Sequence, residues 1–187
     1  MPEEPTFLKG QFLIDSGDLT GSFFARSAVL ICQHDAEGAF GLVLNRSMER
    51  RIGDIVPTAL PEALSAAPLF VGGPVQPSAL SYLHADAFLP GANVIANLSL
   101  GHELDQLIAL AEAATPSARF KVFAGYAGWS AGQLEDELQR HAWLTFPASV
   151  ELVFDTPFER LWPTILRLIG GWKNILLSTM PDDPSRN

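Results

Sequence analysis

Short apolar runs separated by turn residues set the layout of this chain. Residues 11–14 (Gln-Phe-Leu-Ile) read as a short strand, and a loop rich in Gly, Asp and Ser follows from Asp15 to Gly21. Residues 28–33 are apolar on both faces, as in a buried central strand. His34-Asp35-Ala36-Glu37-Gly38 supplies turn chemistry, and residues 39–45 resume as a strand, so the pair predicts an antiparallel hairpin. Further on, residues 52–56 and 61–66 predict single helical turns, and residues 68–71, 79–84 and 93–98 predict strands. Ser99 or Gly101 starts a helix of about 13 residues that ends near Thr115-Pro116, with Leu104, Leu107, Ile108 and Ala111 on one face. Residues 119–124 alternate with period two, so Phe120, Val122 and Ala124 face one way.

The segment from Gly125 to Gly132 then reads as a glycine-rich turn, with Ser130 and Gln133 in capping-box spacing before a helix carrying Leu134 and Leu138. Residues 142–146 and 149–154 predict two strands around Pro147. Thr156 or Asp155 caps a last helix from about Pro157 to Ile169, with Leu161, Ile165, Leu168 and Ile169 inward and Pro163 near a kink or 3₁₀ turn. Hairpin-like strand pairs among helices, without βαβ alternation, point to α+β: one compact domain over residues 1–187, with a loose tail from about 181. The expected sheet is largely antiparallel or mixed, with about three flanking helices.

With 187 residues and 48% hydrophobic content the chain supports one substantial core. Its acidic start lacks the basic-then-apolar plan of a secretory signal, and no run reaches the roughly 20 apolar residues of a membrane span. Cys32 has no second cysteine to pair with, which fits a reducing cytoplasm. A net charge of −9 repels phosphate backbones, so direct nucleic-acid binding is disfavoured.

Several local patterns carry chemistry in principle. Gly128 to Gly132 spells the G-x-S-x-G of a hydrolase nucleophile elbow. The histidine that follows, His141, sits at the far end of the same predicted helix, about 15 Å away. Ser130 therefore reads as a helix N-cap, with a serine hydrolase using Ser130 as the alternative. Cys32 and His34, two apart on a strand, are expected on one face; a buried, inert cysteine is the simpler reading. His102-Glu103 lacks the second histidine of a zinc-protease helix, since position 106 is Gln106. Gly72-Gly73-Pro74-Val75 lacks the lysine of a phosphate loop and reads as a tight turn. No metal ligand set and no cofactor motif is expected.

Several blocks in order also resemble the bacterial YqgE/AlgH family: Gly10 to Ile14, Phe24 to His34, Gly38 to Arg46, Gly72 to Val75, and Gly125 to Trp129 with Gln133-Leu134-Glu135. The resemblance spans residues 8 to 180. It implies a compact α+β fold in the bacterial cytoplasm, a transcriptional-regulator label, and an unassigned molecular function. The chain departs from the family pattern at Asp15-Ser16-Gly17, where a small or apolar residue and proline are usual.

These readings converge on a non-enzymatic binding or regulatory module. Loops carrying Asn45, Arg46, Gly72, Gly73, Pro74, Gly125, Tyr126, Gly128 and Trp129 are expected to meet on one concave face. Arg46 supplies charge, Tyr126 and Trp129 apolar contact, and the glycines close backbone approach. The expected partner is a small molecule or a protein segment, with no membrane partner and with direct nucleic-acid binding disfavoured.

Overall fold

The runs that are apolar on both faces lie inside a nine-stranded mixed sheet in the computed structural model, which describes residues 7–86, 91–113 and 119–180. β1 (Gln11–Asp15), β2 (Ala28–Asp35) and β3 (Gly38–Val43) are antiparallel neighbours. β4 (Ser47–Arg51), β5 (Pro68–Val71), β6 (Val75–Ala85) and β7 (Leu98–Gly101) build the other half. β8 (Arg119–Ser130) belongs to both halves, and β9 (Trp143–Pro147) lies outside β1. One half thus runs β9-β1-β2-β3-β8 and is wholly antiparallel; the other runs β4-β5-β8-β6-β7, with β5 parallel to β8.

The glycine-rich segment is therefore strand, not turn. Residues 119–124 of β8 pair with β6, 122–124 also pair with β5, and 127–130 pair with β3. The change of partner falls at Gly125, whose φ of +72° lets the strand bend where a residue with a Cβ would be strained. β5 and β6 flank β8 on opposite sides, so Gly72-Gly73-Pro74 must pass over β8 to join them. The Gly72 N–H still donates to the Ala124 carbonyl (2.8 Å), while Val75 already pairs with Tyr126 beyond the crossing. A Cβ on Gly73 would fall inside the Tyr126 carbonyl group, and one on Gly125 would lie 2.5 Å from the Gly73 oxygen. Glycine is required here for close approach of two backbones.

Among the described residues, six α-helices cover the sheet, more than the three or so the sequence suggests. α1 (Glu62–Ser65) and α2 (Leu104–Glu112), with a 3₁₀ turn at Ile52–Asp54, bury Ile52, Leu64, Leu107 and Ala111 against Leu69, Tyr82 and Val122. α3 (Gln133–Gln139) sets Leu134 with Leu13, Val29, Ile31 and Trp129. On the opposite face, α4 (Val150–Phe154) and α5 (Phe158–Ile169) pack Val153, Leu161, Trp162, Ile165 and Leu166 onto Phe12, Ile14, Leu30 and Leu42. α6 (Trp172–Thr179) lies on α5 and leaves Trp172 80% exposed.

Four local expectations change. Residues 149–154 form a helix, because the Ser149 hydroxyl caps it by accepting the Leu152 N–H (3.2 Å). Residues 93–97 are irregular, and the strand starts at Leu98. α2 begins at Leu104, while its expected end at Thr115-Pro116 lies outside the described residues. In α5, Leu168 points outward and Trp162 and Leu166 take inward places instead; Pro163 is accommodated within the helix. The expected tail from about 181 also lies outside the described residues.

One pH effect arises in this half of the sheet. His84, on β6 opposite Phe120 and Ser99, is half-buried, and burial holds its pKa below the usual 6.5. The unfolded chain therefore takes up that proton first on acidification. The stability tied to neutral His84 is complete above the unfolded value and is lost as pH falls below it. Melting temperature is expected to fall between about pH 7.5 and 5.5, with a shallower slope in His84→Gln. An unchanged slope in the variant would count against this origin.

Candidate functional site

The bend in β8 has a counterpart in β6. Between Val75 and Leu80 that strand bulges away from its partner, with Gln76 at φ +45°. The bulge, the Gly125 bend and the end of β7 enclose a cavity of about 280 Å³. Phe40, Tyr126, His102, Gln76, Ser81 and Leu80 line it, together with Ala79 and Gly125. Phe40 and Tyr126 are stacked with centroids 4.8 Å apart, and His102 meets the Phe40 ring edge-on at 5.9 Å. Ser81 is buried and His102 and Gln76 are exposed, so polar groups stand at both the floor and the rim. Among the described residues, no Lys or Arg lines the cavity.

Of the nine residues expected at a site, Gly125 and Tyr126 line this cavity. The backbones of the three expected segments do meet: Val71 N–H donates to the Arg46 carbonyl, Val43 N–H to Gly72, and Gly72 N–H to Ala124. Their side chains diverge. Asn45 bridges the loop before β2, accepting the Ala28 N–H (2.9 Å) and donating to the Arg26 carbonyl (2.8 Å). Arg46 donates to the Ala25 carbonyl (2.8 Å) and lies over the Phe23 ring at 4.8 Å; burial lowers its pKa. Gly72 and Gly73 are buried in the crossing, while Pro74 and Gly128 are exposed beside it. Trp129 points to the opposite face from Tyr126, and its indole N–H and that of Trp143 both donate to Glu137 Oε2 (2.9 and 2.8 Å). Phe40, Gln76, Leu80 and Ser81 were not singled out by the sequence, and His102 drew notice only as part of an incomplete zinc-protease pattern. They come from three other strand regions, so only the pairing register brings them together.

The reactive patterns resolve into structure. Ser130 ends β8; its Oγ donates to Gln133 Oε1 (3.3 Å), and its N–H reaches the same oxygen (3.1 Å). α3 is capped by Gly132 in a left-handed conformation, so Ser130 is not the N-cap. A histidine–acid pair exists nearby: Leu8 N–H donates to His34 Nδ1 (2.9 Å), which leaves Nε2–H to donate to Glu135 Oε1 (3.0 Å). That pair shares the face of Ala39 and Trp129, whereas Ser130, the next residue, projects to the other face. Cys32 and His34 also separate. Cys32 keeps the core face of Leu30 and Leu42, where burial pushes its thiol pKa far up, and the bulge between Ile31 and Gln33 turns His34 to the face of Ala39. The described residues hold no cluster of three potential metal ligands, and none of their helices is long and apolar enough to cross a membrane.

Fold and cavity together define a class: an α+β domain whose two half-sheets share one bent strand, with an aromatic-lined cavity at the bend. The chain belongs to the AlgH-like family (DUF179), whose sequence profile matches residues 12–174. A UPF0301 protein of Chlorobaculum parvum is 37% identical over 192 residues and covers all of both chains. One from Pseudomonas fluorescens is 40% identical over 161 residues, covering 83% of this chain and 85% of its own. The solution structure of the AlgH protein from Pseudomonas aeruginosa superposes with a TM-score of 0.71 at 33% identity, over 98% of this chain and 99% of that one. These names assign no activity.

Proposed function

We propose that this chain is a non-enzymatic binding or regulatory protein whose ligand site is the cavity where β8 changes sheets. The observation that carries the reading is the stacked Phe40–Tyr126 pair facing open space, with His102, Gln76 and Ser81 around it. At about 280 Å³ the cavity lies at the lower end for small-molecule sites, which suits a single ring or side chain. The absence of a lining cation and the chain's net charge of −9 disfavour phosphates and nucleic acid. Regulation, on this reading, runs through a bound partner and not through direct DNA contact.

Saturation-transfer NMR against a pool of neutral and cationic aromatic fragments, such as indole and benzylamine, tests the site. Fragments are expected to bind the wild type and to lose about tenfold or more in affinity to Tyr126→Ala. Equal transfer in both proteins would overturn the assignment.

The hydrolase reading finds no support in the position of Ser130, whose hydroxyl is held by Gln133 on the face away from His34 and Glu135. A fluorophosphonate probe is expected to leave Ser130 unlabelled. Labelling that disappears in Ser130→Ala would restore an enzyme.

A further inference from the structure

Among the described residues, β8 has a stretch of open edge that adjoins the cavity. β5 and β6 flank residues 122–124 on both sides, but residues 127–130 have, among the described residues, a strand neighbour only in β3. Which backbone groups face the open side follows from three contacts. The Trp129 carbonyl abuts Gly38 of β3, so Trp129 and Ala127 point their polar groups at β3. Ser130 sends its N–H instead to Gln133, away from β3. Tyr126 pairs with Val75 on the β6 side. Gly128, with the same parity as Tyr126 and Ser130, therefore directs its N–H and C=O to the open edge. Val75 is the last residue of β6 to pair along this edge, because Pro74 leaves it to make the crossing. Gly128, Ser130 and Pro74 are all exposed.

Two more features describe what fits there. Phe40 is the cross-strand partner of Gly128 and stacks on Tyr126, so an aromatic surface lies directly beside the open backbone groups. The surrounding segments, residues 33–41, 72–82, 99–106 and 125–137, contain no Lys or Arg; Asp35, Glu37, Glu103, Asp105 and Asp136 are exposed there, while Glu135 and Glu137 are held by His34 and by Trp129 and Trp143 on the opposite face. Unpaired N–H and C=O groups select an extended chain, the aromatic pair selects an apolar or aromatic side chain, and the carboxylates select positive charge.

We infer that the open edge of β8 at Gly128–Ser130 takes an extended basic peptide segment of a partner protein as an added strand. One apolar or aromatic side chain of that segment sits against Phe40 and Tyr126. The inference rests on the cavity being the ligand site and goes further in naming the partner's chemistry. Gly128 has no side chain to obstruct the added strand, and the N–H of Ser130, already held by Gln133, limits the addition to a short pairing.

The test uses the full chain and a fluorescein-labelled, end-capped peptide of alternating lysine and threonine with one central phenylalanine. Anisotropy is expected to show binding that weakens about tenfold in Gly128→Pro, which removes the outward N–H but spares the β3 ladder. The same peptide carrying backbone N-methyl groups is expected to lose a similar factor on the wild-type protein, a control that does not depend on the variant folding. Equal binding of the methylated and parent peptides, or no peptide binding at low salt, would overturn strand addition. Aromatic-fragment binding retained in Gly128→Pro separates the outcomes: fragments that bind while peptides do not leave the cavity assignment standing, and loss of both defeats it as well.

Discussion

Gly73→Ala is expected to destabilise the protein by about 3 kcal/mol or more, enough to remove much of a domain's usual margin. The added methyl would overlap the Tyr126 carbonyl group, which is backbone on a central strand and has no rotamer to adopt. Relief requires lifting the crossing off β8, which would separate Gly72 from Ala124 and Val75 from Tyr126. A useful contrast is Gly132→Ala. Gly132 also has a positive φ (+77°), but nothing lies within 4 Å of its added Cβ, so only the conformational cost of about 1–2 kcal/mol remains. Urea unfolding of the two variants measures the difference. A Gly73→Ala protein as stable as Gly132→Ala would mean that the crossing is not closely packed.

The second large effect is expected at Asp15. Its carboxylate is 1% exposed and accepts three backbone N–H groups, from Gly17 (2.9 Å) and Leu19 (3.2 Å) on Oδ1 and from Arg26 (2.7 Å) on Oδ2. One side chain thus fixes both ends of the loop between β1 and β2. Asp15→Ala leaves these donors without a partner, at a cost of about 3 kcal/mol or more. The loss should be local in hydrogen exchange. The amides of Gly17, Leu19 and Arg26 should lose protection first, and those of β2 should retain it until global unfolding. Uniform loss across the sheet would place Asp15 in the core's stability and not in the loop's. The entry to that loop is thus held by a carboxylate.

Much of the fold is legible in the sequence where side chains carry a pattern. The two-faced apolar run at 28–33 is a central strand, and the alternation at 119–124 is the first half of β8. The pattern fails at Gly125 to Trp129 because glycine contributes no periodicity; that half of β8 is specified by its pairing with β3. Residues 149–154 are as apolar as a strand, and only the Ser149 cap marks them as helix. The facing of Cys32 and His34 depended on unbroken alternation, which the bulge at Cys32 interrupts.

The candidate site was legible only in part, for a similar reason. The glycines and Tyr126 stand out because their spacing is unusual. Phe40, Gln76 and Ser81 look ordinary in their own segments, His102 stands out only in an incomplete metal pattern, and they become neighbours through a bulge between Val75 and Leu80 that no local signal announces. Arg46 and Trp129 attracted attention for their chemistry, yet each is used to hold the fold: one under the loop at Phe23 to Ala25, the other against Glu137.

The most direct measurement is backbone and aromatic shift mapping of the wild-type protein titrated with the aromatic fragment pool. A ligand in the cavity is expected to give its largest changes at Phe40, Gln76, Ser81, His102, Gly125 and Tyr126. Changes concentrated instead on the exposed face of α6 around Trp172, with these six residues unmoved, would contradict the cavity assignment.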